Sequence, residues 1–349
     1  MRVVVQLSIV VTSLAILSGV VGAQETSSGP LATEPPAPEE FVFEGLPPEI
    51  ARKIAIQRAD LERRNLAGNR ATRGLASTAF VWPQTMPRIN VCFIGGDLAL
   101  RRRVVEVAME WKTNTGAPLD FGDDPSAPRT CDPKADGQHI RVGFKRDGTA
   151  WSAIGRQSMT TYFPRDGASM NLGFGPGFPA DKVRRTILHE FGHALGLEHE
   201  HQSPEKECIN EFDRARLLEF LKPKGWTQDD VELQLGLLDK QGVIVSPPFD
   251  IDSIMIYGFP AKYYKKGDGS HCYAVERNLL SDGDKQLIAK LYPADNAAKT
   301  AMIEARATYM RQAAMPNVLT RGSRGGAAGE TDDLLLDLID ELAVAPAKP

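Results

Sequence analysis

Apolar residues recur at helical spacing in two long stretches of the chain and alternate with polar ones in several short stretches, the pattern of an α+β protein. Leu100, Val104, Val107, Ala108 and Trp111 form one stripe, opened by Asp97 as a cap and stopped by Gly116. Val183, Ile187, Leu188, Phe191 and Leu195 form a second, with Asp181 positioned to cap it. The β-branched run over residues 88 to 94 ends at Gly95-Gly96 and reads as a strand. Ile140, Val142 and Phe144 alternate with polar or small residues as a half-buried strand does, and Asp147-Gly148 turns the chain. Residues 212 to 221 and 227 to 238 read as surface helices. Ser281-x-x-Asp284 has the form of a capping box that starts a last helix running through Leu291.

The second stripe also carries chemistry. Residues 189 to 199 read His-Glu-Phe-Gly-His-Ala-Leu-Gly-Leu-Glu-His. On a helix, His189 and His193 project from one face a turn apart, where both imidazoles reach one metal ion. Gly196 frees the backbone to leave the helix and bring His199 round as a third ligand. Three protein ligands with an open fourth position mark a catalytic zinc, one ion per chain, whereas structural sites close with four ligands and lean on cysteine. Glu190 sits next to the first ligand, where it serves as general base toward the attacking water and then as acid toward the leaving amine. The whole chain has six histidines in 349 residues, so three in this register with Glu and Gly do not read as incidental core histidines.

The extended pattern H-E-x-x-H-x-x-G-x-x-H resembles the metzincin zinc endopeptidases, and Ser253-Ile254-Met255-Ile256-Tyr257 resembles their Met-turn. Glu200, which follows the third His, and Tyr257 match the astacin-like branch, in its secreted microbial form, over roughly residues 76 to 294. The resemblance implies a twisted mixed sheet with two long helices above the cleft and a mainly irregular or helical lower subdomain. It implies that Met255 forms an apolar floor beneath the histidines, and that Tyr257 is a displaceable ligand able to stabilise the oxyanion. It places residues 169 to 174 as the edge strand of the cleft, with Ser169, Asn171 and Gly173 binding an extended protein or peptide substrate by strand addition. Two positions depart from the family pattern: Ile256 stands where many astacins have His, and Ser203 where many have Arg.

Composition changes the picture only at the ends. An apolar fraction of 42% is ordinary for a globular protein, and a formal charge of −4 with dispersed Lys and Arg implies no nucleic-acid partner. Arg2, the apolar run to Val21 and Val21-Gly22-Ala23 read as a signal peptide over residues 1 to 23, which makes the protein secreted or periplasmic, without stable membrane association once cut. Residues 24 to 75 read as a Pro- and Glu-rich linker followed by a charged helix from 48 to about 65, and are a candidate propeptide. The family's inhibitory Asp motif is represented there only by Phe43-Glu44-Gly45-Leu46, which lacks the Asp. Residues 76 to 294 form the catalytic domain, and 295 to 349 an Ala-rich helical, then acidic, tail. Four cysteines allow three disulfide pairings; Cys92 with Cys131 and Cys208 with Cys272 is the expected one, each stapling one side of the cleft, though spacing leaves the others open. The remaining functional alternative is a secreted zinc-containing, adhesin-like protein that binds peptides without turnover.

Overall fold

The computed structural model describes residues 80 to 304 except 147–148, 161, 175–176, 204 and 238–247, together with residues 43, 44, 50 and 52. The signal-peptide run, the linker, the Asp147-Gly148 turn and the tail beyond 304 lie outside the described residues. So does all of the charged helix expected from residue 48 except residues 50 and 52, which are helical.

The chain is α+β. Strands β1 (Phe43–Glu44), β2 (Ile89–Phe93), β3 (Leu119–Asp120), β4 (Ile140–Gly143), β5 (Thr149–Ser152) and β6 (Met170–Asn171) form one mixed sheet in the order β1-β5-β6-β4-β2-β3. The strands β3, β2, β4 and β6 run parallel to one another, whereas β5 is antiparallel to β6 and carries β1 parallel to itself on its outer side. Trp151 pairs with Asn171 and Ser152 with Met170, which fixes the register of the antiparallel pair.

This order corrects the expectation for residues 169 to 174. The strand β6 is interior, flanked by β4 and β5, and on that side the sheet ends at β1, outside β5. The three residues assigned to substrate are taken up within the sheet. Ser169 Oγ accepts the Arg141 N–H at 2.9 Å. Asn171 Nδ2 donates to the carbonyls of Lys145 (3.1 Å) and Thr149 (2.8 Å) while its Oδ1 accepts from Lys145 N–H (2.7 Å). A Cβ at Gly173 would collide with the Thr149 backbone, so that glycine allows two chain segments to touch.

Two long helices pack on the sheet and on each other, α1 (Leu98–Thr115) and α2 (Ala180–Ala194). Asp97 caps α1 through the Leu100 N–H at 2.8 Å, and Gly116, with φ +82°, ends it in the left-handed region as the sequence indicated. In α2 the cap differs: the first turn starts after Pro179, and Asp181 lies inside it, where its charge favours the positive end of the helix dipole instead of closing an N–H. Val104, Val107, Ala108 and Trp111 meet Ile187, Leu188, Phe191 and Leu195 in the core, and Trp111 Nε1 donates to the Leu188 carbonyl at 3.0 Å. Burying each of the valine, leucine, isoleucine and phenylalanine side chains among these stabilises the pair by about 1.5–3 kcal/mol and fixes α2 in rotation.

After α2 the chain is mostly irregular, with short helices α3 (Cys208–Glu211), α4 (Arg214–Leu221) and α5 (Gln228–Leu235), before α6 (Asp282–Leu291). The Ser281/Asp284 capping box forms as its sequence indicates. Both expected disulfides are present, Cys92 to Cys131 and Cys208 to Cys272, one in each half of the described body. Among the described residues, no helix is long and apolar enough to cross a membrane.

Candidate active site

His189 and His193 lie on the buried C-terminal half of α2, one turn apart as the helical period requires. The helix stops at Leu195; Gly196 takes φ +101°, which turns the chain so that His199 comes back toward the same point. One nitrogen from each of the three rings lies within 4.8 Å of the others, and all three residues are buried. The His193 and His199 Nε2 atoms are 3.1 Å apart.

The opposite ring nitrogens explain this convergence. His189 Nδ1 donates to the Ile254 carbonyl at 2.7 Å, His193 Nδ1 to the Leu197 carbonyl at 2.7 Å and His199 Nδ1 to the Gln234 carbonyl at 3.2 Å. A carbonyl can only accept, so each Nδ1 carries the proton and each Nε2 keeps its lone pair for a metal. Lone pairs brought this close repel unless a cation lies between them. Ligand bonds of about 2.05 Å at tetrahedral angles put nitrogens roughly 3.3 Å apart, close to the spacing of the His193 and His199 nitrogens. The donor set therefore fits zinc.

Glu190 is 1% exposed, beside the first ligand. Tyr257 Oη is 2.8 Å from His199 Nε2, and the Tyr257 ring packs against those of His199 (centroids 4.4 Å) and His189 (5.9 Å). Met255 lies beneath α2, where a Cβ on Gly192 would strike its sulfur. The glycine within the H-E-F-G-H stretch thus leaves room for Met255, a match that the local motif does not reveal.

Several supporting residues are invisible to local sequence reading. Asp284, the capping residue of α6, accepts from Ser253 Oγ (2.7 Å) and from the Ile254 N–H (2.9 Å), so the last helix anchors the segment that holds His189. Burial pushes the Asp284 carboxyl up, against the hydrogen bonds it receives. Arg185, one turn before His189, donates to the Ile256 carbonyl at 2.7 Å. Glu200 accepts the Asp250 N–H at 2.9 Å and its own N–H reaches the Met255 carbonyl at 3.1 Å. Burial raises the Glu200 carboxyl to about 7, opposed by the Asp250 N–H and helped by the Asp250 and Asp284 charges. His201 is fully buried, stacks on Tyr257 with centroids 5.6 Å apart, and accepts the Tyr257 N–H at 3.4 Å; burial pushes its pKa down to about 3, so the ring is neutral.

No family model and no curated protein sequence matches the chain. Among solved structures it is similar to myroilysin, with 27% sequence identity and a TM-score of 0.52, over 62% of this chain and 97% of that one. The chain resembles the astacin-like zinc metallopeptidases in fold. A second structure of myroilysin aligns with a TM-score of 0.42 at 27% identity over 61% of this chain and 89% of that one. High choriolytic enzyme 1, a hatching enzyme zinc-protease from the medaka fish Oryzias latipes, aligns with a TM-score of 0.40 at 15% identity, over 63% and 97% of the two chains. The α+β architecture and the two long helices agree with the astacin-like resemblance read from the His motif and the Met-turn.

Proposed function

We propose that this chain is a secreted zinc-dependent endopeptidase that hydrolyses peptide bonds of protein or peptide substrates, with one zinc held by His189, His193 and His199. The observation that carries this reading is the pointing of three Nε2 lone pairs at one spot, each imposed by a carbonyl on the far side of its ring. When bound, zinc supplies Lewis acidity for the scissile carbonyl and makes hydroxide available near neutral pH. Glu190 takes the proton from the attacking water and passes it to the leaving amine. Tyr257, whose hydroxyl already lies at the site, gives a hydrogen bond to the developing oxyanion. The two disulfides support an oxidising destination, and the amino-terminal apolar run of the sequence supports export.

Residues 24 to 75 then act as a propeptide. Supporting this, Phe43–Glu44 adds a parallel strand to the outer edge of β5, and Ile50 packs beside Trp151 and Phe163 behind that edge. An edge strand occupied by the chain's own backbone is closed to strand addition by another peptide. Removal of the segment bares β5, which replaces residues 169 to 174 as the backbone rail offered to substrate.

The deciding experiment uses Glu190→Gln. This variant retains stoichiometric zinc and loses casein hydrolysis, and hydrolysis at the parent rate overturns the assignment of the base. Parent protein that holds zinc and binds peptides without chelator-sensitive cleavage is instead the adhesin-like binder. Comparing the full chain with one starting at Thr78 tests latency; equal rates rule it out.

A further inference from the structure

The C-terminal end of a helix leaves its last four carbonyls without helical partners, and a buried end must find donors for all of them. In α2 these are the carbonyls of Gly192, His193, Ala194 and Leu195. The first two are met locally: Leu197 N–H donates to Gly192 at 3.0 Å and Gly196 N–H to His193 at 2.8 Å, the paired bonds of a glycine-closed helix end. The last two are met from far away. Trp82 Nε1 donates to the Ala194 carbonyl at 2.8 Å across 112 residues of chain, and Tyr292 Oη to the Leu195 carbonyl at 2.6 Å across 97. Both donors are buried, Trp82 at 1% exposure and Tyr292 at 7%. They close on the turning glycine itself: a Cβ at Gly196 would stand 3.2 Å from the Val81 side chain and 3.9 Å from Tyr292 Oη.

Gly196 is the hinge of the loop that carries His199. His193 Nδ1 is also held inside this turn by the Leu197 carbonyl. We propose that Trp82 and Tyr292 are positioning residues of the metal site, a two-sided clasp on the turn after α2 that holds His199 preorganised against His189 and His193. The proposal rests on the zinc-peptidase reading of those three histidines. Neither residue touches metal or substrate; both act through the backbone that delivers the third ligand.

The test is the full-length protein loaded with one zinc, compared with Trp82→Phe, Tyr292→Phe and the double variant. Tyr292→Phe removes a single oxygen and keeps the ring, so it decides the matter even if Trp82→Phe fails to fold. The readouts are the rate of zinc transfer to a chromophoric chelator and the gap between the thermal midpoints of the zinc-loaded and zinc-free forms. The clasp predicts zinc release about tenfold faster in each single variant, and a narrowed gap. A residue that merely stabilises the fold lowers both midpoints alike and leaves the release rate unchanged. That outcome in a parent that holds zinc overturns the clasp alone, while a parent that holds no zinc overturns the peptidase reading and the clasp with it.

Discussion

Each histidine offers a metal only one nitrogen, because a carbonyl has claimed the other, and this division is what distinguishes a ligand from a buried imidazole. Tyr257 differs: its hydroxyl sits at the site, while its backbone N–H and ring are held by His201. Replacing Tyr257 by Phe keeps the packing and removes the hydroxyl proposed to hydrogen-bond the oxyanion. We expect kcat to fall about 10²-fold, with zinc content unchanged; an unaltered kcat on a peptide substrate removes Tyr257 from catalysis. Arg141 shows the opposite kind of buried polar residue. At 2% exposure its guanidinium donates to the carbonyls of Gly167, Gln138, Ser158 and Phe163, tying the loop between β5 and β6 to β4. Arg141→Met leaves those carbonyls buried without their donor and is expected to destabilise by at least about 3 kcal/mol, measured by denaturant unfolding; a loss below 1 kcal/mol contradicts this account. At this scale the sequence was legible where convergence follows from short spacing, as for His189, His193 and His199. It was silent on Arg141, Trp82 and Tyr292, whose partners depend on the folded arrangement.

Among elements, the helices were readable because their period, the Asp97 cap, the Gly116 stop and the Ser281/Asp284 box are all local. The strands were only half readable. The family resemblance marks a strand in residues 169 to 174, but whether a strand is interior or edge is decided by ladder partners elsewhere in the chain. The strand β5 is four residues long, too short for its own sequence to show its place beside β6. The α2 cap escapes local reading for a related reason: Asp181 has the right residue type for a cap, but the helix already starts after the proline two residues earlier. The helix α6 has a second task, since its capping Asp284 also holds Ser253 and Ile254. Asp284→Ala therefore removes a cap and strips partners from Ser253 and Ile254 together, and we expect a loss of about 2–4 kcal/mol with weaker zinc retention. A variant that loses only the cap, about 1 kcal/mol, and keeps its zinc refutes the link between α6 and the site.

For the molecule as a whole, pH sets a further expectation. The His139 ring packs tilted against Trp82, with centroids 5.2 Å apart, and accepts the Asn90 N–H at 2.9 Å; burial, then the Arg129 and Arg156 charges, hold its pKa below the ordinary 6.5. Below pH 6.5 the unfolded chain binds a proton that the folded chain refuses, so this contribution, fully present above 6.5, is lost as pH falls. Between pH 7 and pH 5 the denaturant midpoint of the zinc-free His139→Gln variant should therefore lose less, relative to the parent protein, by the share that His139 supplies; an identical pH dependence in variant and parent contradicts it.

The three imidazoles come from eleven consecutive residues, yet the fastening of their loop waits for Tyr292. A nascent chain therefore displays its histidines some ninety residues before it owns the donor that steadies the last of them. On the clasp proposed above, a fragment that ends short of that tyrosine grips the ion less firmly than the finished chain.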